Sequence, residues 1–201
     1  MLLILGAGGH ARPVIEALRA SGVEPAGLLD DAASGELLGV AVLGPIGSLA
    51  ARQAPGLSAV IAIGDNATRA RLGEMCRALG IALPTVIHPA ALVSPSARIA
   101  EGAQVMARAV IGPEATVGTL ALVNTGAIVE HDCVVGDAAH LGPGVVLCGG
   151  VRVGARALLG AGAVARPGLV IGEDAVVAPG AALAADVPAG ARMGGVPARP
   201  F

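Results

Sequence analysis

This 201-residue chain has no Trp, no Tyr and a single Phe, and all 13 of its basic residues are Arg. A core without aromatic rings has to be built from small aliphatic side chains. Charged residues are only 14% of the chain and hydrophobic ones 54%, which excludes a disordered polar chain. No basic run stands out and the net charge is −2, so a nucleic-acid role has no electrostatic footprint. No stretch reaches the roughly 18 uninterrupted apolar residues of a spanning helix. Weakly polar windows such as 37–51 are broken by Gly and Pro, and no membrane partner is expected. Met1–Leu5 lacks a basic flank and runs into glycines, unlike a secretory signal. Cys76, Cys133 and Cys148 form neither a CxxC pair nor an even framework, so a reduced, cytoplasmic protein is the expectation. The 31 Gly and 14 Pro have no period of three, which removes a collagen-like reading.

What is present falls into two grammars. Up to about residue 85, strand-like and helix-like segments alternate. Leu2–Leu5 is an apolar run ending in glycines. Val14, Ile15 and Leu18 follow at helical spacing before a stop at Gly22. A second run ends in Asp30-Asp31, and a third over 59–63 precedes Gly64-Asp65-Asn66. Asn66 is expected to cap a helix carrying Leu72, Met75 and Leu79. The alternation predicts a small open parallel sheet, a Rossmann-like α/β domain over residues 1–85.

From Ile87 to Leu183 an aliphatic residue recurs at every sixth position, with Ala165 as the exception. Four residues after each aliphatic the side chain is usually Ala, with Cys at 133, and Gly often follows the aliphatic directly, as at 112, 118 and 136. A period of six is the hexapeptide signature of a parallel β-helix, three hexapeptides to a triangular coil. On an α-helix the same period would scatter the aliphatics and form no stripe. The aliphatics are expected to stack inside the prism, the small residues to sit at its corners, and the glycines to tolerate the turn dihedrals. Residues 86–201 are thus predicted to be a β-helix of nearly six coils, roughly 27 Å long at ~4.8 Å per coil.

Several short motifs occur in a particular order: Gly6-Ala7-Gly8-Gly9-His10-Ala11, Leu29-Asp30-Asp31, Ile63-Gly64-Asp65-Asn66, Ile87-His88-Pro89, Asn124-Thr125-Gly126-Ala127, Glu130-His131-Asp132-Cys133, His140 and Gly195-Val196-Pro197-Ala198. In that order the chain resembles, over nearly its whole length, the hexapeptide-repeat sugar acyltransferases of the PglD/NeuD type. The resemblance implies a Rossmann-like domain joined to a left-handed β-helix. It also implies a homotrimer, with acetyl-CoA as cosubstrate in the grooves between subunits. Members acetylate the amino group of nucleotide-linked 4-amino sugars or hydroxyls of sialic acid.

Among the four histidines, His131 lies two places after Val129 and is therefore expected to turn away from the core. Carboxylates beside an imidazole raise its basicity. The resemblance gives His131 the role of general base and Asp132 that of its partner. One coil further on, residue 149 is Gly, whose N–H is suited to hold a thioester oxyanion. His140 lies half a coil from His131, so the two should point to different sides of one chain. The resemblance makes His140 a cofactor contact, together with Ala161 and Pro179. Arg166 and Arg199 are of the residue type that suits the CoA phosphates, with a solvated surface Arg as the alternative for either.

The histidine separations argue against a zinc site of the carbonic-anhydrase kind, and no metal is expected. Cys133 reads as core packing, and nothing demands an acyl-cysteine at Cys148. The loop Gly8-Gly9-His10 after a strand offers N–H groups to a phosphate, but it is not a full dinucleotide fingerprint. The resemblance assigns Gly8, Gly9, His10, Asp30, Asp31 and Asn124 to the sugar-nucleotide substrate, with a UDP-linked sugar as the expected ligand in preference to NAD. The overall expectation is an acetyl-CoA:amino-sugar N-acetyltransferase. Its alternatives are sialic acid O-acetylation or a non-catalytic nucleotide-sugar-binding β-helix.

Overall fold

A computed structural model describes residues 1–52 and 54–201. The chain opens with β1 (Leu2–Leu5), α1 (Ala11–Ala20) and β2 (Gly27–Leu29). A small hairpin, β3 (Glu36–Leu37) with β4 (Val40–Ala41), and a 3-10 helix, Ile46–Arg52, follow. Then come β5 (Ser58–Ile61) and α2 (Asn66–Ala78). The three longer strands pair in parallel in the order β2-β1-β5. Their side chains are buried almost throughout because α1 and the early β-helix coils cover one face, and α2 with the 3-10 helix the other. With β1 central, its C-terminal end is the switch point of the sheet, and the glycine loop sits there.

Helix α1 forms where expected and buries Ala11, Val14, Ile15 and Leu18. The cap of α2 is one residue earlier than the sequence suggests. Asp65, in extended geometry, accepts the Thr68 N–H at 2.8 Å, and Asn66 is the first helical residue. Its amide is thereby free to reach elsewhere.

From Val86 the chain winds as a parallel β-helix, with two-residue strands on three faces. Each strand pairs in parallel with the one 18 residues away, as in Val110↔Leu92 and Val110↔Ile128. The second residue of each strand points inward. Val105, Ile111, Val117 and their successors to Leu183 are buried, together with the corner alanines and Cys133. The expected stack fails only at its start. Ile87 is 38% exposed and Val93 and Ile99 are half-buried, because no coil lies beneath them. At the other end the strand Arg192–Gly194 and the antiparallel Arg199–Pro200 close the stack.

The glycines that follow the aliphatics have a different reason from the one expected. Gly112, Gly136 and Gly142 do not have positive φ. A Cβ on Gly136 would stand 2.7 Å from the Ala155 nitrogen of the next coil, so these positions are glycine for clearance. The left-handed residue comes two places later and is often not glycine: Leu120, Asp132, Ala138 and Arg156 all have φ between 52° and 60°.

The first residue of each strand points outward and gives each face its character. The first face carries Val86, Gln104, Leu122, His140, Leu158 and Val176, and its early coils lie under the α/β region. Val86, Met106 and Leu122 pack there with Ala11, Val14 and Ile15 of α1. The second face carries Leu92, Val110, Ile128, Val146, Val164 and Ala182, all aliphatic and none buried. The third carries Arg98, Thr116, Val134, Arg152 and Val170.

Candidate active site

The turn from the second face to the third contains Glu130, His131 and Asp132. Asp132 is the left-handed residue of its hexapeptide, φ 60°, a conformation that Asp tolerates better than most side chains. The result is that its Oδ2 lies 2.8 Å from His131 Nδ1. A carboxylate only accepts, so Nδ1 carries the hydrogen and Nε2 of the neutral ring is left with its lone pair. The Asp132 hydrogen bond, aided by the charges of Asp132 and Glu130, raises the His131 pKa above the ordinary imidazole value. Both side chains are largely exposed, 61% and 66%.

The ring of His131 lies against the turn one coil above. A Cβ on Gly149 would stand 2.6 Å from both Nε2 and Cε1, so glycine is required there for the imidazole to lie flat. The Gly150 N–H bonds the His131 carbonyl at 2.9 Å and fixes the two turns. Among the described residues the Gly149 N–H has no acceptor. An acceptor-ready Nε2 and a free N–H on one exposed corner can take a proton and hold a developing oxyanion. Cys133 is buried and its thiol donates to the Cys148 carbonyl at 3.2 Å; burial pushes its pKa up, the opposite of an activated thiol.

His140 stands on the first face, away from His131, and its surroundings are those of the α/β region. Burial, with Arg69 and His10 nearby, drives its pKa down to about 4 against a bond with the Gly64 backbone. Asn124 Oδ1 accepts the Thr125 N–H at 2.8 Å, which turns its amide nitrogen toward His140 Nε2 at 3.4 Å. Asn124, Ala161 and Pro179 share the corner from the first face to the second, so they and His131 border the aliphatic second face on opposite edges. Ala161 and Pro179 are exposed. Arg199 lies on the closing strand, its guanidinium bonded to the Ala198 carbonyl, and Arg166 is exposed at the corner between the second and third faces.

In the α/β region, Gly8 and Gly9 are exposed, neither has positive φ, and a Cβ on either would touch nothing. The fold does not require glycine there, whereas a ligand approaching the backbone would. The two aspartates are more occupied than the sequence suggests. Asp30 Oδ2 accepts the Ala7 N–H at 2.7 Å, and its Oδ1 accepts those of Ala32 and Ala33. Burial alone would push its pKa up, but these bonds outweigh it and hold it below the usual carboxylate value. Asp31 Oδ1 accepts the Ile46 N–H at the start of the 3-10 helix. Both therefore shape the loop, each with acceptor capacity remaining. His10 Nε2 lies 2.8 Å from Gln104 Oε1, while Gln104 Nε2 donates to the Ile61 carbonyl at 2.7 Å. Gln104 must then accept from His10, so Nε2 is the protonated nitrogen and Nδ1 keeps a lone pair. Burial lowers the His10 pKa despite the Gln104 bond.

Sequence reasoning misses Gln104 and, above all, Arg69. Arg69 lies three residues before Leu72 and so on the buried face of α2, which the helical period could have revealed.

A nucleotide-sized parallel sheet seated on a hexapeptide β-helix, with an acid-paired histidine on an exposed corner, defines the class of hexapeptide-repeat sugar acyltransferases. Residues 1–76 match the family model of the PglD N-terminal domain. Perosamine N-acetyltransferase from Caulobacter crescentus, solved as a histidine variant with CoA and GDP-perosamine, is 45% identical. It superposes with a TM-score of 0.97, covering 100% of this chain and 96% of its own. The acetyltransferase domain of PglB from Neisseria gonorrhoeae FA1090, in complex with acetyl coenzyme A, is 37% identical with a TM-score of 0.95, covering 100% and 98%. WeeI from Acinetobacter baumannii AYE matches at 25% identity and a TM-score of 0.92, covering 100% and 99%. No curated protein sequence matches the chain. The chain belongs to the PglD-type sugar acetyltransferases. Among the described residues no cluster of His, Cys, Asp and Glu is arranged to hold a metal ion, and no helix is long and apolar enough to cross a membrane.

Proposed function

We propose that the chain is an acetyl-CoA-dependent N-acetyltransferase acting on the amino group of a nucleotide-linked amino sugar, as a cytoplasmic homotrimer. Residues 1–85 bind the sugar nucleotide through Gly8, Gly9, His10 and the remaining acceptors of Asp30 and Asp31. Residues 86–201 carry the transfer. The observation that carries this reading is the His131–Asp132 pair with Nε2 over Gly149. That a 45% identical perosamine N-acetyltransferase is solved with CoA and GDP-perosamine supports the reading.

In the reaction the sugar nitrogen attacks the thioester carbonyl of acetyl-CoA and forms the C–N bond. His131 Nε2 takes the proton released by the amine, and Asp132 stabilises the imidazolium. The Gly149 N–H holds the oxyanion until it collapses, breaks the C–S bond and expels CoA thiolate. His131 then returns its proton to the thiolate or to water. No step needs a metal.

The trimer reading rests on the second face. Six aliphatic side chains in a row, unburied in the single chain, suit a self-association surface. Its two edges carry His131 on one side and Asn124, Ala161 and Pro179 on the other. A ring closed through these faces brings one subunit's His131 corner to its neighbour's cofactor corner, which is where CoA would lie.

The test is CoA thiol release from acetyl-CoA with a panel of amino sugars, free, UDP-linked and GDP-linked. Release that depends on a nucleotide-linked amino sugar is expected. No release with any member would overturn the reading.

A further inference from the structure

Every left-handed corner residue of a β-helix leaves its carbonyl outside the coil-to-coil ladder. Leu120, Ala138 and Arg156 occupy the same corner in three successive coils, and among the described residues none of their carbonyls accepts a backbone N–H. Where such a corner faces water this has no cost. Here the α/β region covers it, and a buried carbonyl without a donor is unfavourable.

Arg69 and Asn66 supply the donors. The Arg69 side chain is fully buried, and among the described residues it forms no ion pair with a carboxylate, Asp65 acting on it only through its charge. Its Nε donates to the Leu120 carbonyl at 2.8 Å, and Nη2 to the Ala138 carbonyl at 2.8 Å. Nη1 donates to the carbonyls of Ile63 and Gly64, at 2.9 and 3.0 Å, and Nη2 also to Asn66 Oδ1 at 2.8 Å. All five donors of the guanidinium are used. Asn66 Nδ2 completes the row with the Arg156 carbonyl at 2.7 Å. One turn along α2, the Leu120 side chain occupies the space that a Cβ on Gly73 would need. Loop 63–66, which adjoins the glycine cradle at the end of the sheet, is thus tied to two coils by one cation.

We propose that Arg69 is a positioning residue, which holds the sugar-nucleotide cradle at one height and angle against the β-helix by binding a column of corner carbonyls. Carbonyl dipoles hold the guanidinium, and the Asp65 charge, outside bonding distance, helps to stabilise it. Gln104 sets the register: its neighbours on the face are Val86 and Leu122, so a one-coil slip of ~4.8 Å would leave the Ile61 carbonyl and His10 facing an aliphatic side chain. The inference rests on the proposed transfer reaction for its kinetic consequence, but not for its structural one.

Arg69→Lys tests it. A lysine keeps the charge but presents its donors at one point and cannot span two coils and a loop. Displacement of the cradle should raise KM for the sugar nucleotide roughly tenfold or more and leave KM for acetyl-CoA within about twofold. Hydrogen exchange should quicken in the peptides over 86 and 120–122, which the α/β region covers. An unchanged KM for the sugar nucleotide, or an equal rise in both KM values, would overturn the proposal. If R69K does not fold, Asn66→Ala removes the Arg156 contact and the Oδ1 acceptor of Arg69 Nη2 while leaving the Arg69 bonds to the Leu120 and Ala138 carbonyls, and should raise the same KM about threefold; no rise overturns it equally. Should the wild type release no thiol at all, the catalytic reading falls. Exchange over 86 and 120–122 then decides the positioning role by itself, unchanged protection in R69K counting against it.

Discussion

His131 and His140 are nine residues apart, and their imidazoles are under opposite influences. His131 sits two places after a core aliphatic, on a corner open to water, with its pKa raised by Asp132. His140 sits one place before a core aliphatic, on a face that the α/β region covers, with its pKa driven down to about 4. Phase within the hexapeptide decides whether a side chain lies on a turn or a strand. Phase within the 18-residue coil decides which face it meets. The same residue type becomes a basic, accessible group at one phase and a neutral, enclosed one at another.

The comparison is broken most directly at His131. His131→Asn should lower turnover by roughly 10² to 10⁴-fold, the usual contribution of a general base. The fold should be intact, since no core contact is lost; turnover near wild type in a folded variant would remove His131 from the mechanism. His140→Asn should keep the proton-transfer step, and its kcat should stay far above that of the His131 variant.

Gly149→Ala comes next. Its φ is not positive, so the backbone accepts alanine, and the three atoms nearest the added methyl all belong to the His131 ring. Displacement of the ring should cost about 10²-fold in kcat/KM. In a His131→Ala background the same change should cost little, because the clash is gone. An undiminished loss in the double variant would place the defect in the Gly149 N–H and not in the ring.

The pH profile separates the two histidines further. His131 acts as a base only when unprotonated, and its pKa is raised, so activity should fall on the acid side from a point above the ordinary imidazole value. Asp132→Asn removes the main cause of the shift and should move that acid limb to lower pH. A limb that stays in place would show that another group controls it.

Much of this was legible in the sequence, and what was not has physical reasons. The period of six predicts the inside of the prism because inward packing repeats with every strand. It cannot by itself predict the surroundings of His140, which depend on a separate region seated on one face. Sorting the outward residues by 18 would have separated the aliphatic face from the mixed ones. The Gly136 class was expected from turn geometry but answers to the backbone of the next coil, which no local pattern contains. Asn66 looked like a cap because Asp and Asn are both good ones; Asp65 takes the role, and Asn66 instead bonds residues ninety positions away. Arg69 is legible only as a polar residue on the buried face of α2, because most of its hydrogen-bond partners are backbone carbonyls, which have no sequence signature.

The smallest effect expected is on stability, and it has opposite signs at the two histidines. For His140 the folded pKa, about 4, is below that of the unfolded chain. As pH falls, the unfolded state takes the proton first. Stability is therefore lost progressively from the ordinary imidazole range down to about 4, and no further loss arises below it. Full expression of the shift would be worth about 3 kcal/mol, an upper bound because the ring is only half-buried. His131 behaves the other way. Its raised pKa contributes stability that is present below the unfolded value and lost as pH rises through the folded one. Carboxylates also titrate at low pH, so the comparison has to be made between variants. Chemical denaturation at pH 7 and pH 5 should show a smaller acid loss in His140→Gln than in the wild type, and a slightly larger one in His131→Gln. His10, whose pKa is also lowered, should leave part of the loss in place. Identical acid losses in the wild type and both variants would mean that neither imidazole differs from its unfolded state, and the contrast between corner and covered face would have no energetic content.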